Sequence, residues 1–455
     1  MNDFPVPAAD RTGTERLSRR GFLGMSAAAG LVAAGALHGT AGAATASAAD
    51  ATAATSTPTA PFRTSLSLSP ETENVLAQVA LGDGTRTATT PEQLQRLYMA
   101  HGSTEMYARM ATRRVATANN GEQGFQRVIE RACLAKKLGL PLNVELGLWG
   151  VYGDVSHQPG PDFSDYPLIW LPGPWESLTV NQMVYALRMY GAMAASQILA
   201  TGVKVNVWDI GNEVEFGVAG VAPRGFTAST DYWSYSAPDA VDPAIGQMQV
   251  YTLLLQMSDS DRISWLRTHL WPHTGRLLAA VSEGIRWVDP QAKFSSHTSV
   301  IAMQYPGFAE AFWKAMDDAG FHVHQLGTSY YPTSVQYGDQ LAAFKNSSQS
   351  LHSTFGKQVF IAETGYPSGT MTAPLEWNTP VSGYPLTTQG QYDFYRDLVA
   401  WGATDGSLAG IRPWAPDSSV TFWQPMSHFA PAAGGTSTAK PVLDAITHGL
   451  QQAAS

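Results

Sequence analysis

Two glutamates follow apolar segments that look like buried strands, and their positions suit acid–base and nucleophilic chemistry. Residues 207–213 (VWDIGNE) end in Glu213, directly after an asparagine, and residues 359–363 (VFIAE) end in Glu363. If both segments belong to one parallel barrel, both carboxyl groups lie at its C-terminal face, where barrels carry functional residues. Two carboxyl groups ~5–5.5 Å apart can cleave a glycosidic bond, one as proton donor and the other as nucleophile.

The two carboxyl groups would need different pKa values to do this chemistry. Partial burial and a neighbouring negative charge would raise the pKa of the one that donates the proton. Glu215 lies two residues beyond Glu213, and we prefer Glu213 because it follows the asparagine directly. The alternative for Glu213 is a carboxylate that only caps a loop at the barrel mouth.

The secondary-structure elements that must position these residues can be read from the sequence. Apolar, strand-like runs alternate along the chain with amphipathic helical stretches. We predict strands at 75–81, 106–110, 142–149, 203–210, 293–297, 325–331, 358–363 and 408–414. Helices are predicted at 91–101, 121–138, 181–200, 260–287, 308–318, 340–355, 389–402 and 441–451. This alternation predicts an α/β protein with a (β/α)8 TIM barrel. An open doubly wound sheet should show a glycine-rich phosphate loop after an early strand, and none is seen.

The N-terminal region is set apart from the predicted barrel. Residues 18–23 (SRRGFL) resemble a twin-arginine export signal, and the apolar run at 25–37 is shorter than the ~20 residues of a membrane span. We expect a removed signal peptide at 1–48, an Ala/Thr/Pro linker at 49–61 and one catalytic domain at 62–455. The expected location is extracellular, with export by that signal and no membrane association after its removal.

Composition excludes several classes of partner and site. The net charge is −9, and lysine and arginine do not cluster after the signal, so nucleic acid is not an expected partner. The sole cysteine, Cys133, excludes an intrachain disulfide, and its apolar helical setting predicts a buried thiol. His322 and His324 could share one face of a strand, but no further ligand accompanies them at metal spacing. We therefore predict no metal and no cofactor, and expect a monomer.

Taken in order, the motifs resemble glycoside hydrolase family 53, the arabinogalactan endo-β-1,4-galactanases of the retaining clan A. Residues 208–217 (WDIGNEVEFG) are similar to that family's fourth-strand signature, 327–332 (GTSYYP) to its sixth-strand run and 363–367 (ETGYP) to its nucleophile segment. His297 and Trp414 match the ends of its fifth and eighth strands. The resemblance implies an O-glycoside hydrolase that cleaves β-1,4-linked galactan in a polysaccharide or oligosaccharide by double displacement.

The same resemblance implies roles for the polar residues. Glu213 would be the acid/base and Glu363 the nucleophile, while Asn212 would bond the sugar 2-hydroxyl. Arg109, at the end of the second strand, would keep the nucleophile ionised. The alternative for Arg109 is a surface arginine.

Aromatic residues and a histidine complete the predicted site. His297 and either Tyr330 or Tyr331 would line the nucleophile pocket, and core packing is the alternative for one tyrosine because adjacent strand residues point to opposite faces. Trp414 would form the floor of the −1 sugar site, unless it is a core aromatic. Trp149, at the end of the third strand, completes the predicted substrate-binding set.

The third strand departs from the family. That family's strand usually ends in His-Tyr-Ser-Asp with a tryptophan soon after, whereas residues 145–149 here are ELGLW. Gln158 and Trp170 do fall where the family has similar residues, and an irregular insertion at 218–243 occupies a substrate-side loop. The substrate is therefore open between galactan and another β-linked polymer, mannan or glucan. A non-catalytic carbohydrate-binding barrel is the third alternative, although binding alone needs neither glutamate.

Overall fold

The computed structural model describes residues 61–114, 123–150, 152–155, 157–224, 240–305, 307–334, 339–373 and 375–455. The predicted signal peptide and all but the last residue of the predicted linker lie outside this part of the chain, as do residues 225–239 of the insertion. None of the helices in the described residues is long and apolar enough to cross a membrane.

Eight parallel strands form the predicted (β/α)8 barrel. One sheet contains Met106–Met110, Leu142–Leu146, Val205–Ile210 and Phe294–Ser295, and the other contains, in order, Arg63–Thr64, Leu408–Pro413, Val359–Thr364, Leu326–Tyr330 and His297–Thr298. The fifth barrel strand is divided at Ser296 and contributes to both sheets. The ring closes between the first and second strands, where the Thr104 amide donates to the Thr64 carbonyl at 2.9 Å.

Helices surround the barrel on the outside and return the chain from one strand to the next. They are Thr72–Leu76, Pro91–Ala100, Phe125–Leu138, Val180–Leu199, Pro243–Gln247, Val250–Leu255, Asp259–Trp265, Trp271–Val288, Phe308–Asp318, Gln340–Phe355, Thr388–Asp405 and Val442–Ala453. Most long helices lie where the apolar periodicity predicts them. Their ends carry the expected signals: the Thr90 hydroxyl accepts from the Gln93 amide at 3.3 Å before Pro91.

The predicted first strand at 75–81 is wrong. Thr72–Leu76 is a helix, and Ala80–Gly82 pairs with Thr436–Thr438 and Thr87–Ala88 in a small sheet outside the barrel. The first barrel strand is Arg63–Thr64, which runs parallel to the eighth. A strand of two residues is too short to produce a detectable alternation, so the periodicity points instead to the next apolar run.

The prediction of a buried Cys133 is also wrong, because its side chain is exposed. Helix Phe125–Leu138 buries the stripe that contains Val128, Ala132 and Ala135. Cys133 follows Ala132 by one residue, which rotates it about 100° around the helix and away from that stripe.

Candidate active site

The ends of the fourth and seventh barrel strands deliver Glu213 and Glu363 to the same face of the barrel. Glu363 is the fifth residue of Val359–Thr364, while Glu213 follows Val205–Ile210 after a tight turn. The backbone of Glu213 is left-handed, with φ 49° and ψ 58°. Such a conformation costs a non-glycine residue on the order of 1–3 kcal/mol and is concentrated at functional sites. At Gly211, with φ 85°, a Cβ atom would overlap Val214, so the turn requires glycine there.

The carboxyl group of Glu213 is buried and lies among negative charges. Its Oε2 accepts from the Val155 amide at 3.2 Å. Burial raises the pKa of Glu213 to about 8, with further increases from the charges of Glu363, Asp154 and Glu215. Glu213 therefore carries its proton at neutral pH, which is the state that a general acid requires.

Two donors hold the carboxylate of Glu363, one on each oxygen. The Arg109 guanidinium forms an ion pair with Oε1 through Nη2, and the Tyr331 hydroxyl donates to Oε2 at 2.8 Å. Glu363 itself is 4% exposed. This arrangement fixes the plane of the carboxylate at the mouth of the barrel.

Asn212 lies between these two glutamates in a fixed orientation. Its Oδ1 accepts from Nε2 of His297 at 2.7 Å and from Nη2 of Arg109 at 3.1 Å, and its Nδ2 donates to the Gly153 carbonyl at 2.8 Å. The Gln158 side chain donates to the carbonyls of Asn212 at 2.7 Å and Glu213 at 3.2 Å, and so stabilises the turn. Within the part of the chain that the structure describes, the second Nδ2 hydrogen of Asn212 has no acceptor.

His297 is held as an imidazolium beside Asn212. Burial alone would lower the pKa of His297, but the Asp209 carboxylate, 3.2 Å from Nδ1, outweighs it, and the pKa rises to about 9 with help from Glu145 and Glu363. Both ring nitrogens therefore donate at neutral pH. That charge state agrees with the Asn212 oxygen, rather than its nitrogen, facing His297.

Trp414 lies at the end of the eighth strand and is partly exposed at the barrel mouth. The Arg109 guanidinium is 4.2 Å from its ring centroid, and the Tyr107 ring meets it edge-on at 6.2 Å. The Trp423 indole donates to the Trp414 carbonyl at 3.2 Å. These contacts fix an aromatic face beside the two glutamates.

One predicted site residue, Tyr330, does not lie in the site. Tyr330 is fully buried, stacks on Phe344 at 3.9 Å and directs its hydroxyl to the Gln340 carbonyl, so Tyr331 is the tyrosine that reaches Glu363. Trp149 is 1% exposed and packs against Gly147, but its ring centroid lies 6.0 Å from the Arg109 guanidinium carbon and 5.7 Å from the Tyr152 ring. We therefore remove Tyr330 from the predicted substrate-binding set, while Trp149 adjoins the site and its contact with a sugar stays a prediction.

Glu215 does not share the role of Glu213, because its carboxylate caps a neighbouring turn. Its carboxylate accepts from the Ser299 amide at 3.0 Å and from the Ser299 hydroxyl, at the start of the 3-10 turn Val300–Met303. Burial raises the pKa of Glu215. The pair of histidines is also separate from the site: His322 contacts Asp317 at 2.6 Å on the surface, and His324 accepts from the Phe294 amide at 3.0 Å.

The sequence-based prediction missed a charged layer beneath the site. Glu145, Asp209 and Arg412 are buried inside the barrel, where Arg412 Nη2 lies 3.3 Å from Glu145 and 3.4 Å from Asp209. Tyr107 joins them by donating to Glu145 at 2.8 Å. The available signal was one charged residue at the penultimate position of each of three mostly apolar strands, which packing alone does not explain.

Glu145, Asp209 and His297 also place three donor atoms within 4.8 Å of one another, a spacing that a metal ion could use. The two carboxylates already form ion pairs with arginine side chains, and the histidine is itself protonated. The two carboxylates are bridged by Arg412, Arg109 Nε lies 2.5 Å from Glu145, and His297 is protonated. The residues present therefore fit an ion-pair network better than a metal site.

Comparison with known proteins gives the family. The model of "Glycosyl hydrolase family 53" matches residues 106–429, well over half of the chain. The chain is 23% identical to a probable arabinogalactan endo-beta-1,4-galactanase A of Aspergillus terreus over 299 residues, which are 66% of this chain and 71% of that protein. It is 19% identical to an arabinogalactan endo-beta-1,4-galactanase of Thermothelomyces thermophilus, over 65% of this chain and 74% of that protein.

Solved structures agree on the fold. The Ignisphaera aggregans GH53 catalytic domain superposes with a TM-score of 0.62 at 18% identity, covering 86% of this chain and 98% of that chain. A structure from work on two fungal beta-1,4-galactanases gives 0.59 at 17% identity, over 85% and 98% of the two chains. The matched region contains both glutamates, and the chain belongs to glycosyl hydrolase family 53 and is an O-glycoside hydrolase.

Proposed function

We propose that the chain hydrolyses β-1,4-linked galactan with retention of anomeric configuration, using Glu213 as acid/base and Glu363 as nucleophile. The observation that carries this proposal is the asymmetry between the two groups. Glu213 is held protonated by its surroundings, while Glu363 is held by Arg109 and Tyr331. Retaining hydrolysis requires such a pair. The galactan substrate follows from the activity named for the relatives.

In the first step, Glu363 attacks the anomeric carbon while the glycosidic C–O bond breaks. Glu213 gives its proton to the leaving oxygen, so the aglycone departs as an alcohol and a glycosyl ester forms on Glu363. Arg109 and Tyr331 hold the attacking carboxylate so that no reorganisation of its plane is needed.

In the second step, water attacks the same carbon and the ester bond to Glu363 breaks. Glu213, now a carboxylate, takes the proton from the water, which restores both groups to their starting states. The ester has no negative charge, so one of the contributions that raise the pKa of Glu213 is absent at this stage. This lets one residue act first as an acid and then as a base.

The remaining contacts suit the sugar at the reacting position. The free Nδ2 hydrogen of Asn212 is available for the 2-hydroxyl, since His297 and Arg109 occupy Oδ1 and Gly153 takes the other hydrogen. Trp414 offers an aromatic face for the apolar side of the ring. We further propose that the chain is exported by its twin-arginine segment and acts as a monomer on a polysaccharide outside the cell.

Reducing-sugar release from a panel of β-linked polysaccharides tests the substrate, with Glu363→Ala as the blank. Release from β-1,4-galactan and arabinogalactan, and not from mannan or glucan, is the expected result. Release from mannan or glucan alone would overturn the galactan assignment and leave the mechanism standing. No release from any polymer by either protein would favour a non-catalytic carbohydrate-binding barrel.

A further inference from the structure

A layer of charged side chains crosses the barrel beneath Glu213 and Glu363. Strand register pairs Arg109 with Glu145 and Glu145 with Asp209 on successive strands, so the three residues lie at one level. Arg412 reaches the same level from the eighth strand. All four are at most 3% exposed, and none of them can be explained as a solvated surface charge.

Glu145 holds Arg109 on the inner side of this layer. Its Oε1 lies 2.5 Å from Nε of Arg109, and its Oε2 accepts from the Tyr107 hydroxyl at 2.8 Å and from Nη2 of Arg109 at 3.2 Å. Nη2 is also the atom that pairs with Glu363. Two carboxylates therefore share one guanidinium, and the position of Glu145 decides where Arg109 meets Glu363.

Arg412 joins the two inner carboxylates to the backbone beside Glu363. Its Nη2 bridges Glu145 and Asp209 at 3.3 and 3.4 Å, and its Nε donates to the carbonyl of Ala362, the residue before Glu363. Its guanidinium also stacks 3.8 Å from the Tyr107 ring centroid. Arg412 thus contacts the supports of both Arg109 and His297.

The layer and the two side chains above it contain equal numbers of basic and acidic groups. Three basic groups face three carboxyl groups: Arg109, Arg412 and His297 against Glu145, Asp209 and Glu363. In a buried, low-dielectric setting, the loss of one charge is felt by every neighbour.

We propose that Glu145 and Arg412 are positioning residues for the hydrolysis: Glu145 fixes the Arg109 guanidinium against Glu363, and Arg412 holds Glu145, Asp209 and the Ala362 carbonyl in register with it. The inference rests on the proposed function, since it takes Glu363 as the reacting carboxylate. Neither residue contacts the substrate. Both act through Arg109, His297 and the backbone of the seventh strand.

A purely structural role makes a different prediction from a positioning role. A structural pair would affect folding and leave both the kcat of the folded protein and the pH dependence of turnover unchanged, whereas a positioning pair lowers the kcat of the folded protein. In the positioning role, removing the positive charge of Arg412 makes ionisation of the site carboxyl groups harder, and removing the negative charge of Glu145 makes it easier. Seven other titratable or charged groups interact electrostatically with Glu363 and so affect its ionisation: Arg109, Tyr107, Tyr152, Glu213, His297, Tyr331 and Arg412.

The test compares Glu145→Gln, Arg412→Gln and the double variant on an aryl β-1,4-galactobioside. We expect each single variant to lower kcat about tenfold or more, with KM changed by less than about threefold, because misplacement of a supporting group acts on the transition state. In a plot of kcat/KM against pH, the rise on the acidic side (the acidic limb) should move to higher pH in Arg412→Gln and to lower pH in Glu145→Gln. The double variant restores the charge balance, and its limb should return close to that of the wild type.

The surface pair Arg188 and Glu283, with nitrogen and oxygen 2.6 Å apart, supplies the matched control. Arg188→Gln and Glu283→Gln remove the same two charges far from the barrel interior and should leave the limb unmoved. If a buried variant does not fold, Glu145→Asp and Arg412→Lys keep the charge and change the geometry. They should lower kcat without moving the limb.

Limbs that stay in place in both single variants, or that move in the same direction, would overturn the proposal. The NMR titration of His297 gives an independent reading without turnover: its midpoint should rise in Arg412→Gln and fall in Glu145→Gln. A wild-type protein that releases nothing from any polymer would refute the proposed function instead, and the His297 titration would still decide the arrangement of charges.

Discussion

Glu363 acts on the protonation state of Glu213 across the mouth of the barrel. After burial, the negative charge of Glu363 is the largest contribution that raises the pKa of Glu213 to about 8. The two residues come from strands 150 positions apart in the chain, and only the closed barrel brings their charges together. The relationship links the fold directly to the chemistry, since the same charge is removed when Glu363 forms an ester.

Glu213→Gln should stabilise the folded protein above about pH 5. The folded pKa of Glu213 is raised from 4.5 to about 8, so the unfolded chain loses this proton first and the free energy of unfolding falls as pH rises between those values. Removing the group should recover on the order of 1–3 kcal/mol at pH 7.5 and nothing at pH 4. Urea unfolding at both pH values measures this. Glu376→Gln, at an exposed site, is the control, and an equal gain in both variants would contradict the assignment.

Glu213→Ala should separate substrates by their leaving groups. Hydrolysis of polymer should fall by about a thousandfold or more because the leaving alcohol is not protonated. An aryl galactobioside with a good leaving group needs no acid and should keep fast formation of the glycosyl ester. Steady-state rates on both substrates check this, and added azide should restore turnover of the aryl substrate. Equal losses on the two substrates would argue against an acid/base role.

The adjacent tyrosines provide a matched pair. Tyr331→Phe removes the hydrogen bond to Glu363 and should lower kcat by about tenfold to a hundredfold. Tyr330→Phe removes only a 3.4 Å contact with the Gln340 carbonyl and should stay within about twofold of the wild type. Comparable losses in both variants would show that the fold, rather than the bond to Glu363, is affected.

His297 should titrate far above the ordinary range of histidine. Its pKa is raised to about 9, so its contribution to the free energy of unfolding is fully present below about pH 6.5 and is lost as pH rises through 9. Asp209→Asn should lower the NMR midpoint of His297 by at least one pH unit, because Asp209 supplies the largest opposing charge. A wild-type midpoint near 6.5 would contradict the imidazolium assignment.

The barrel and both glutamates were predictable because strong local signals agree with one another. The strand-like runs at 207–213 and 359–363, which end in Asn-Glu and Ala-Glu, identify both the strand and its functional end. The first strand was not predictable, since Arg63–Thr64 has only two residues and is defined by its partner Leu408–Pro413. Sequence alternation could not decide between Tyr330 and Tyr331, because a shift of one residue reverses the face.

Other features depend on contacts between distant parts of the chain. Trp149 follows a strand that ends at Leu146. After the left-handed Leu148, with φ 58°, the Trp149 ring packs against Gly147 and lies 6.0 Å from the Arg109 guanidinium carbon. Glu145 and Arg412 are 267 residues apart in the sequence, and their ion pair can be recognised only in the folded barrel, where the two side chains are 3.3 Å apart. The alternation of residues in a strand predicts which side chains are buried, but it does not predict which buried charged side chains form ion pairs.

Trapping the glycosyl-enzyme tests the central claim most directly. The wild-type protein is incubated with a dinitrophenyl 2-deoxy-2-fluoro-β-1,4-galactobioside. Its fluorine slows both steps, while the dinitrophenyl leaving group keeps the first step fast, so the ester accumulates and the labelled peptide is identified by mass spectrometry. The account predicts stoichiometric inactivation with the label on Glu363, and protection by galactan oligosaccharides. A label on another carboxylate, or release of dinitrophenol with no covalent adduct while galactan is still hydrolysed, would contradict it.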